Sequence, residues 1–141
     1  MANEYSQTLM SWYRAEDHRG ELSDALITET GYNPKCGDKV TFYLSRDDAT
    51  NALIIRFVPE ACMLCTASAE AAIRLVYSYT NSTDSLTNLL SLVVHKQFNS
   101  GCKDDIELPL LNTLKEYPAR ETCLTLPWDT LANALHRLTT K

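Results

Sequence analysis

The chain has 141 residues, 45% of them hydrophobic, and its 13 Lys and Arg against 18 Asp and Glu leave a net charge of −5. That length suits one domain spanning 1–141 with a buried core, and the absence of a Lys/Arg cluster that would neutralise a run of phosphates argues against nucleic acid as a partner. No apolar run approaches the ~18 residues of a membrane span, and Met1-Ala2-Asn3-Glu4-Tyr5 lacks the basic-then-apolar layout of a secretory signal. The expectation is a cytoplasmic protein with no membrane association. Its five scattered cysteines are an odd number, a poor fit to a secreted disulfide framework. In a reducing compartment such thiols are more often metal-binding or catalytic.

In chain order, residues 4–16 place Tyr5, Leu9, Trp12 and Tyr13 at helical spacing and predict an amphipathic first helix. From Arg19-Gly20 to Gly31-Tyr32 the pattern is poorly periodic and reads as a connection. Residues 39–44 and 52–58 are rich in β-branched and aromatic side chains and flank the polar stretch 45–51, which predicts a β-hairpin. Pro59 ends the second strand, and residues 61–64 suit a short third one. From Thr66 the alanines, with Ile73, Leu75, Val76 and Tyr79, predict a helix broken at 81–84. Leu86, Leu89, Leu90, Val93, Val94 and Phe98 mark another, ended by Gly101. Residues 106–116 read as a short leucine-rich helix stopped by Pro118. A last helix runs from about Glu121 to Leu138, with Pro127 in its first turns, where a missing N–H does least harm. The fold class is α+β, a small antiparallel sheet of about three strands packed against several helices.

Three short stretches carry the chemistry: Asn33-Pro34-Lys35-Cys36-Gly37-Asp38, then Glu60-Ala61-Cys62 running into Thr66-Ala67-Ser68-Ala69, then Arg120-Glu121-Thr122-Cys123 ahead of Leu126-Pro127-Trp128. Glycine between Cys36 and Asp38 allows a tight turn that aims both side chains at one point. Cys62 follows the other hairpin strand, so the two segments should end near each other. Cys123 falls in the first turn of the last helix, whose positive end favours a thiolate, and Arg120 shares its face if the helix already includes it. Taken singly, each cysteine would read as a small buried hydrophobe, Asp38 as a turn residue and Arg120 as a salt-bridge partner. Taken together, three thiolates and one carboxylate suffice to close a tetrahedral zinc site.

Cys62-Met63-Leu64-Cys65 is also a C-x-x-C pair, which leaves open a four-cysteine zinc site without Asp38, or a redox dithiol. If residues 61–65 are extended, the side chains of 62 and 65 diverge, and Cys65 becomes a packed thiol at the start of the following helix. Cys102 reads as an exposed loop residue. His95, in an apolar helix, reads as partly buried, and His18 and His136 as surface residues. Trp128 is assigned to core packing.

In this order the three stretches resemble the U-type proteins of iron–sulfur cluster assembly, the IscU/NifU N-terminal family, and most closely its SufU branch. The long segment between Cys62 and Cys123 resembles the SufU insertion, and Thr122 stands where IscU-type proteins carry a histidine. Ala61 and Cys65 depart from the family's usual glycine and serine. The resemblance implies a SufE/NifU-like fold and a metal site of Cys36, Asp38, Cys62 and Cys123 whose usual occupant is zinc. It implies as partner a SufS-like, pyridoxal-phosphate-dependent cysteine desulfurase. Cys36 is then the thiol that accepts persulfide sulfur, released from zinc when a partner histidine takes its place, and Arg120 holds or steers the freed thiolate. The function so implied is that of a zinc-dependent sulfur acceptor, or sulfurtransferase, passing sulfur to a downstream scaffold. One alternative is a scaffold that assembles a [2Fe–2S] cluster, or binds iron, on the same ligands for delivery to apo iron–sulfur proteins. Another is a zinc-stabilised interaction module without sulfur chemistry.

Overall fold

A computed structural model describes residues 4–78, 113 and 116–139 of the chain. The first element, α1 (Glu4–Arg14), buries Leu9 and Trp12, three positions apart and therefore on one face, against a later helix. Strands β1 (Ile27–Asn33), β2 (Asp38–Arg46) and β3 (Leu53–Glu60) follow as an antiparallel sheet of order β1-β2-β3. Helix α2 (Met63–Ser78) comes next. A 3₁₀ turn at Pro118–Arg120 leads directly into α3 (Glu121–Thr139). α3 lies against β1, β2 and α2, and α1 also packs against α2.

Strand periodicity sets which face is buried. Val40, Phe42 and Leu44 of β2 and Leu53, Ile55 and Phe57 of β3 all point to the helices and are buried. The register pairs Phe42 with Phe57 and Leu44 with Ile55, so these side chains meet across the strands. The two phenylalanine rings stack with centroids 5.9 Å apart, and burial of each such side chain stabilises the fold by about 1.5–3 kcal/mol. The opposite face is mixed, with Tyr43, Ile54 and Val58 beside polar pairs: the Thr30 and Thr41 hydroxyls lie 2.9 Å apart and Lys39 pairs with Glu60 at 3.5 Å.

β1 lies within the stretch expected to be a connection. Its inward positions include Glu29 and Gly31, not an apolar series, so alternation is not visible in the sequence. Pairing along its length with β2 makes it a strand, and α3 packs on it. Arg137 of α3 pairs with Glu29 at 2.6 Å and donates to the Thr28 carbonyl at 2.9 Å. Gly31 lets α3 approach, because a Cβ there would fall on Thr130 Oγ1, 3.1 Å from Thr130 Cβ and 3.2 Å from Leu126 Cδ1. Residues 61–64, expected as the third strand, are not one: α2 begins at Met63, and the third strand is β1. The helix expected around 86–98, and most of that at 106–116, lie outside the described residues, as do Cys102 and His95.

His18 also differs from expectation. It is not a surface residue: its Nδ1 lies 2.8 Å from Oε2 of Glu70, its ring packs on Tyr77 with centroids 5.4 Å apart, and Arg74 Nε donates to the same carboxylate oxygen at 2.9 Å. Burial of Glu70 acts to raise its pKa, but the bonds from His18 and Arg74 outweigh it and hold the carboxyl below its ordinary value. The segment carrying His18 also covers the free edge of β3. Phe57 N–H donates to His18 O at 2.8 Å, Gly20 N–H donates to Phe57 O at 3.0 Å, and Ile55 N–H donates to the Tyr77 hydroxyl at 2.8 Å. Among the described residues, no helix is long and apolar enough to cross a membrane.

Candidate metal centre

The β1–β2 hairpin closes on the register pair Asn33–Asp38 and presents residues 34–37 as its turn. Asn33 Oδ1 accepts the Lys35 N–H at 3.1 Å, and Asn33 O accepts the Gly37 N–H at 2.8 Å. Gly37 adopts φ +77°, in the left-handed region where glycine carries no Cβ penalty. Cys36 is thereby left exposed in the turn, while Asp38, first residue of β2, sits on the inward face and is only 4% exposed.

Two further segments converge on this carboxylate. Cys62, between β3 and α2, donates its N–H to Asp38 Oδ1 at 3.0 Å, and its Sγ lies 3.5 Å from Oδ2. Cys62 is also the N-cap of α2: its carbonyl accepts the Thr66 N–H at 3.0 Å and its Sγ accepts the Cys65 N–H at 3.4 Å. Cys123, buried in the first turn of α3, brings its Sγ to 3.9 Å from that of Cys36, with Arg120 Nη1 4.0 Å away on the exposed side. A Ser68 hydroxyl on α2 fixes α3 here, donating to Leu124 O while accepting the Trp128 Nε1–H at 2.9 Å. The sequence assigned Trp128 to packing, and this polar tie was not visible in it.

Donor atoms of Cys36, Asp38 and Cys123 all lie within 4.8 Å of one another. Two sulfurs bound to one zinc at ~2.3 Å with tetrahedral angles stand roughly 3.8 Å apart, so the Cys36–Cys123 separation of 3.9 Å fits a shared ion. Soft thiolates with one carboxylate are a donor set that suits zinc or iron. Cys62 is outside the compact set and meets it through Asp38. Cys65, fully buried, is outside it as well, packed in the first turn of α2.

The electrostatics match a site built around one anion. Burial acts to raise the Asp38 pKa, but the Cys62 N–H and the thiols of Cys36, Cys123 and Cys62 outweigh it and keep the carboxyl below its ordinary value. Burial and the hydrogen bond to Asp38 push the Cys123 thiol up to about 12, despite Arg120. That upward push opposes the helix start, which contributes only about 0.3–1 kcal/mol. Burial, and then the charges of the cluster, likewise drive Cys65 above the ordinary thiol range. A bound cation inverts this order for the thiols that coordinate it.

Residues 4–123 match the family model of the NifU-like N terminal domain. The chain belongs to that family. It is 28% identical over 141 residues to the iron–sulfur cluster assembly scaffold protein IscU of Thermotoga maritima, covering 95% of this chain and 94% of that protein. It is 28% identical over 121 residues to the protein of the same name from Streptococcus pyogenes serotype M1, covering 85% and 75%. Two solved structures share its fold. One is a candidate iron–sulfur cluster assembly scaffold for the SUF system, SufU, from Fervidobacterium islandicum AW-1, with a TM-score of 0.69 at 24% identity over 95% of this chain and 96% of that one. The other is the N-terminal part of a nitrogen-fixing NifU-like protein from Brucella abortus, with a TM-score of 0.69 at 18% identity over 97% and 95%. The motifs read from sequence thus lie in a U-type member of the NifU-like family, with the expected α+β architecture.

Proposed function

We propose that this protein serves iron–sulfur cluster assembly as a sulfur acceptor, taking persulfide sulfur from a pyridoxal-phosphate-dependent cysteine desulfurase at Cys36. The observation that carries the proposal is the contrast in exposure within one cluster: Cys36 is exposed in its turn, while Asp38 and Cys123 beside it are buried. A thiol that must enter another protein's active site has to be reachable, and the groups that position it need not be. Cys36, Asp38 and Cys123 would hold a zinc ion, with Cys62 as fourth ligand, and the ion would supply a positive charge that keeps the sulfurs deprotonated at neutral pH. In the transfer step, the Cys36 thiolate attacks the terminal sulfur of the donor's persulfide. A new S–S bond forms as the old one breaks, and the donor cysteine departs as a thiolate. Arg120, 4.0 Å from the Cys123 sulfur, contributes a fixed positive charge at the mouth of the site. The free thiols suit a reducing cytoplasm.

A second reading, a scaffold that builds an iron–sulfur cluster on the same residues, is favoured by the names of the IscU relatives and by the Asp38 carboxylate, an oxygen donor suited to a cluster that must leave again. The deciding experiment incubates the zinc-loaded chain with cysteine desulfurase and L-cysteine and maps the persulfide by mass spectrometry. Persulfide at Cys36, lost in Cys36→Ala, is expected, and its absence from Cys36 overturns the acceptor reading. Anaerobic reconstitution with iron and sulfide gives visible absorption if the chain is a scaffold. Inert thiols together with unfolding on chelation would leave only a zinc-stabilised interaction module.

A further inference from the structure

Cys36, Asp38 and Cys123 form the compact donor group, and Cys62, the proposed fourth ligand, has a second neighbour. As N-cap of α2, Cys62 turns its sulfur back over the first turn, where it accepts the N–H of Cys65 at 3.4 Å. Thr66 N–H bonds to the Cys62 carbonyl at 3.0 Å, so the helix starts at this residue and the C-x-x-C spacing places both thiols in one turn. Cys62 is half-buried, whereas Cys65 is fully buried one helical turn further in, its N–H on the Cys62 sulfur. Cys62 is also the member of the candidate ligand set that lies outside the compact group of donors. A C-x-x-C pair at a helix start is an arrangement used for reversible dithiol–disulfide chemistry.

We infer that Cys62 and Cys65 form a peroxide-sensitive dithiol that removes Cys62 from the metal centre. The inference rests on the metal reading above for its consequence, but not for the bond itself. In the first step, the Cys62 sulfur attacks one oxygen of hydrogen peroxide, the O–O bond breaks, and sulfenic acid and one water are produced. In the second, the Cys65 sulfur attacks the sulfenic sulfur, an S–S bond forms, and hydroxide leaves as water with the thiol proton. Two electrons pass from the thiol pair to the peroxide, giving one disulfide and two waters. Among the candidate ligands Cys62 is the one placed to leave, because it lies outside the compact group of donors formed by Cys36, Asp38 and Cys123.

The test exposes the full chain, zinc-loaded and zinc-free, to equimolar hydrogen peroxide, alkylates the remaining thiols, and analyses tryptic peptides. Peptide 57–74 carries both cysteines. The expected result in both states is that this peptide becomes two hydrogens lighter and resists alkylation, and that dithiothreitol reverses the change. In the loaded chain, chelator competition should show zinc retention weakened beyond the roughly 10–100-fold that loss of an outer-shell partner costs a metal site. Cys65→Ser and Cys65→Ala should bind zinc as the parent does, form no internal disulfide, and stop at a dimedone-reactive Cys62 sulfenic acid. Failure of peptide 57–74 to form an internal disulfide in both states, or absence of a dimedone-reactive Cys62 in the Cys65 variants, overturns the inference. Should the chain bind no zinc at all, the metal reading falls alone, because the zinc-free arm still decides whether the disulfide forms.

Discussion

The backbone N–H of Cys62 and the carboxylate of Asp38 are joined at 3.0 Å, while the sulfur of the same cysteine lies 3.5 Å from the second carboxylate oxygen. One anion therefore anchors both the end of β3 and the start of α2, and the same anion lies among the sulfurs of the candidate centre. Asp38 is thus a structural anchor as well as a candidate ligand.

Replacing Asp38 separates these roles. Asp38→Asn keeps an oxygen for the Cys62 N–H and should fold, but it should bind zinc at least tenfold more weakly in a chelator competition. Asp38→Ala also leaves that N–H without its acceptor, and should lower metal-free stability by a further 1–3 kcal/mol, about the cost of an unsatisfied buried donor, read from denaturant unfolding.

Arg120 is exposed in the turn before α3 and supports little of the core. Arg120→Ala should leave the melting temperature within the range of ordinary surface substitutions, about ±0.5 kcal/mol in stability. Sulfur acceptance in single-turnover persulfide transfer should slow by roughly tenfold, equivalent to about 1.4 kcal/mol of barrier. Arg120→Lys should recover part of the rate. An unchanged rate in Arg120→Ala would remove this residue from the chemistry.

At Gly31 the limit is space, since an added Cβ would strike Thr130 of α3. Gly31→Ala should destabilise the chain by about 1–3 kcal/mol, the usual cost of overpacking. Adding Thr130→Ala, which removes the nearest atom, should restore part of the loss in urea unfolding.

Stability should fall in acid through Glu70. Its folded-state pKa is depressed below the ordinary 4.5, because the bonds from His18 and Arg74 outweigh its burial. A depressed carboxyl contributes stability that is fully present above the unfolded pKa and is lost as pH falls through the folded one. Denaturant midpoints should therefore hold down to about pH 5 and then decline. Glu70→Gln should flatten that decline while lowering the midpoint at pH 7.

Much of the fold, and the convergence of three of the four candidate ligands, was legible in the sequence because the residues involved obey local rules. Val40, Phe42, Leu44, Ile55 and Phe57 alternate and form the hairpin as expected, and Leu124, Leu131 and Leu135 keep helical spacing in α3. The turn at Gly37 does present Cys36 and Asp38 together, and Cys123 joins them from α3. What escaped depends on contacts made at a distance. β1 is a strand because it pairs along its length with β2, and Arg137 and the close approach at Gly31 join it to α3. His18 is drawn inward by Glu70, 52 positions away. The state of Cys123 follows from burial beside Asp38, a neighbour that helix position alone does not reveal.

The covered margin of β3 bears on how the chain behaves among copies of itself. With Ile55 N–H held by a tyrosine hydroxyl and both backbone groups of Phe57 occupied by His18 and Gly20, a second molecule finds those rungs already taken. Tyr77→Phe would reopen one of them, so solutions of that variant would be the first place to look for oligomers stacked strand to strand.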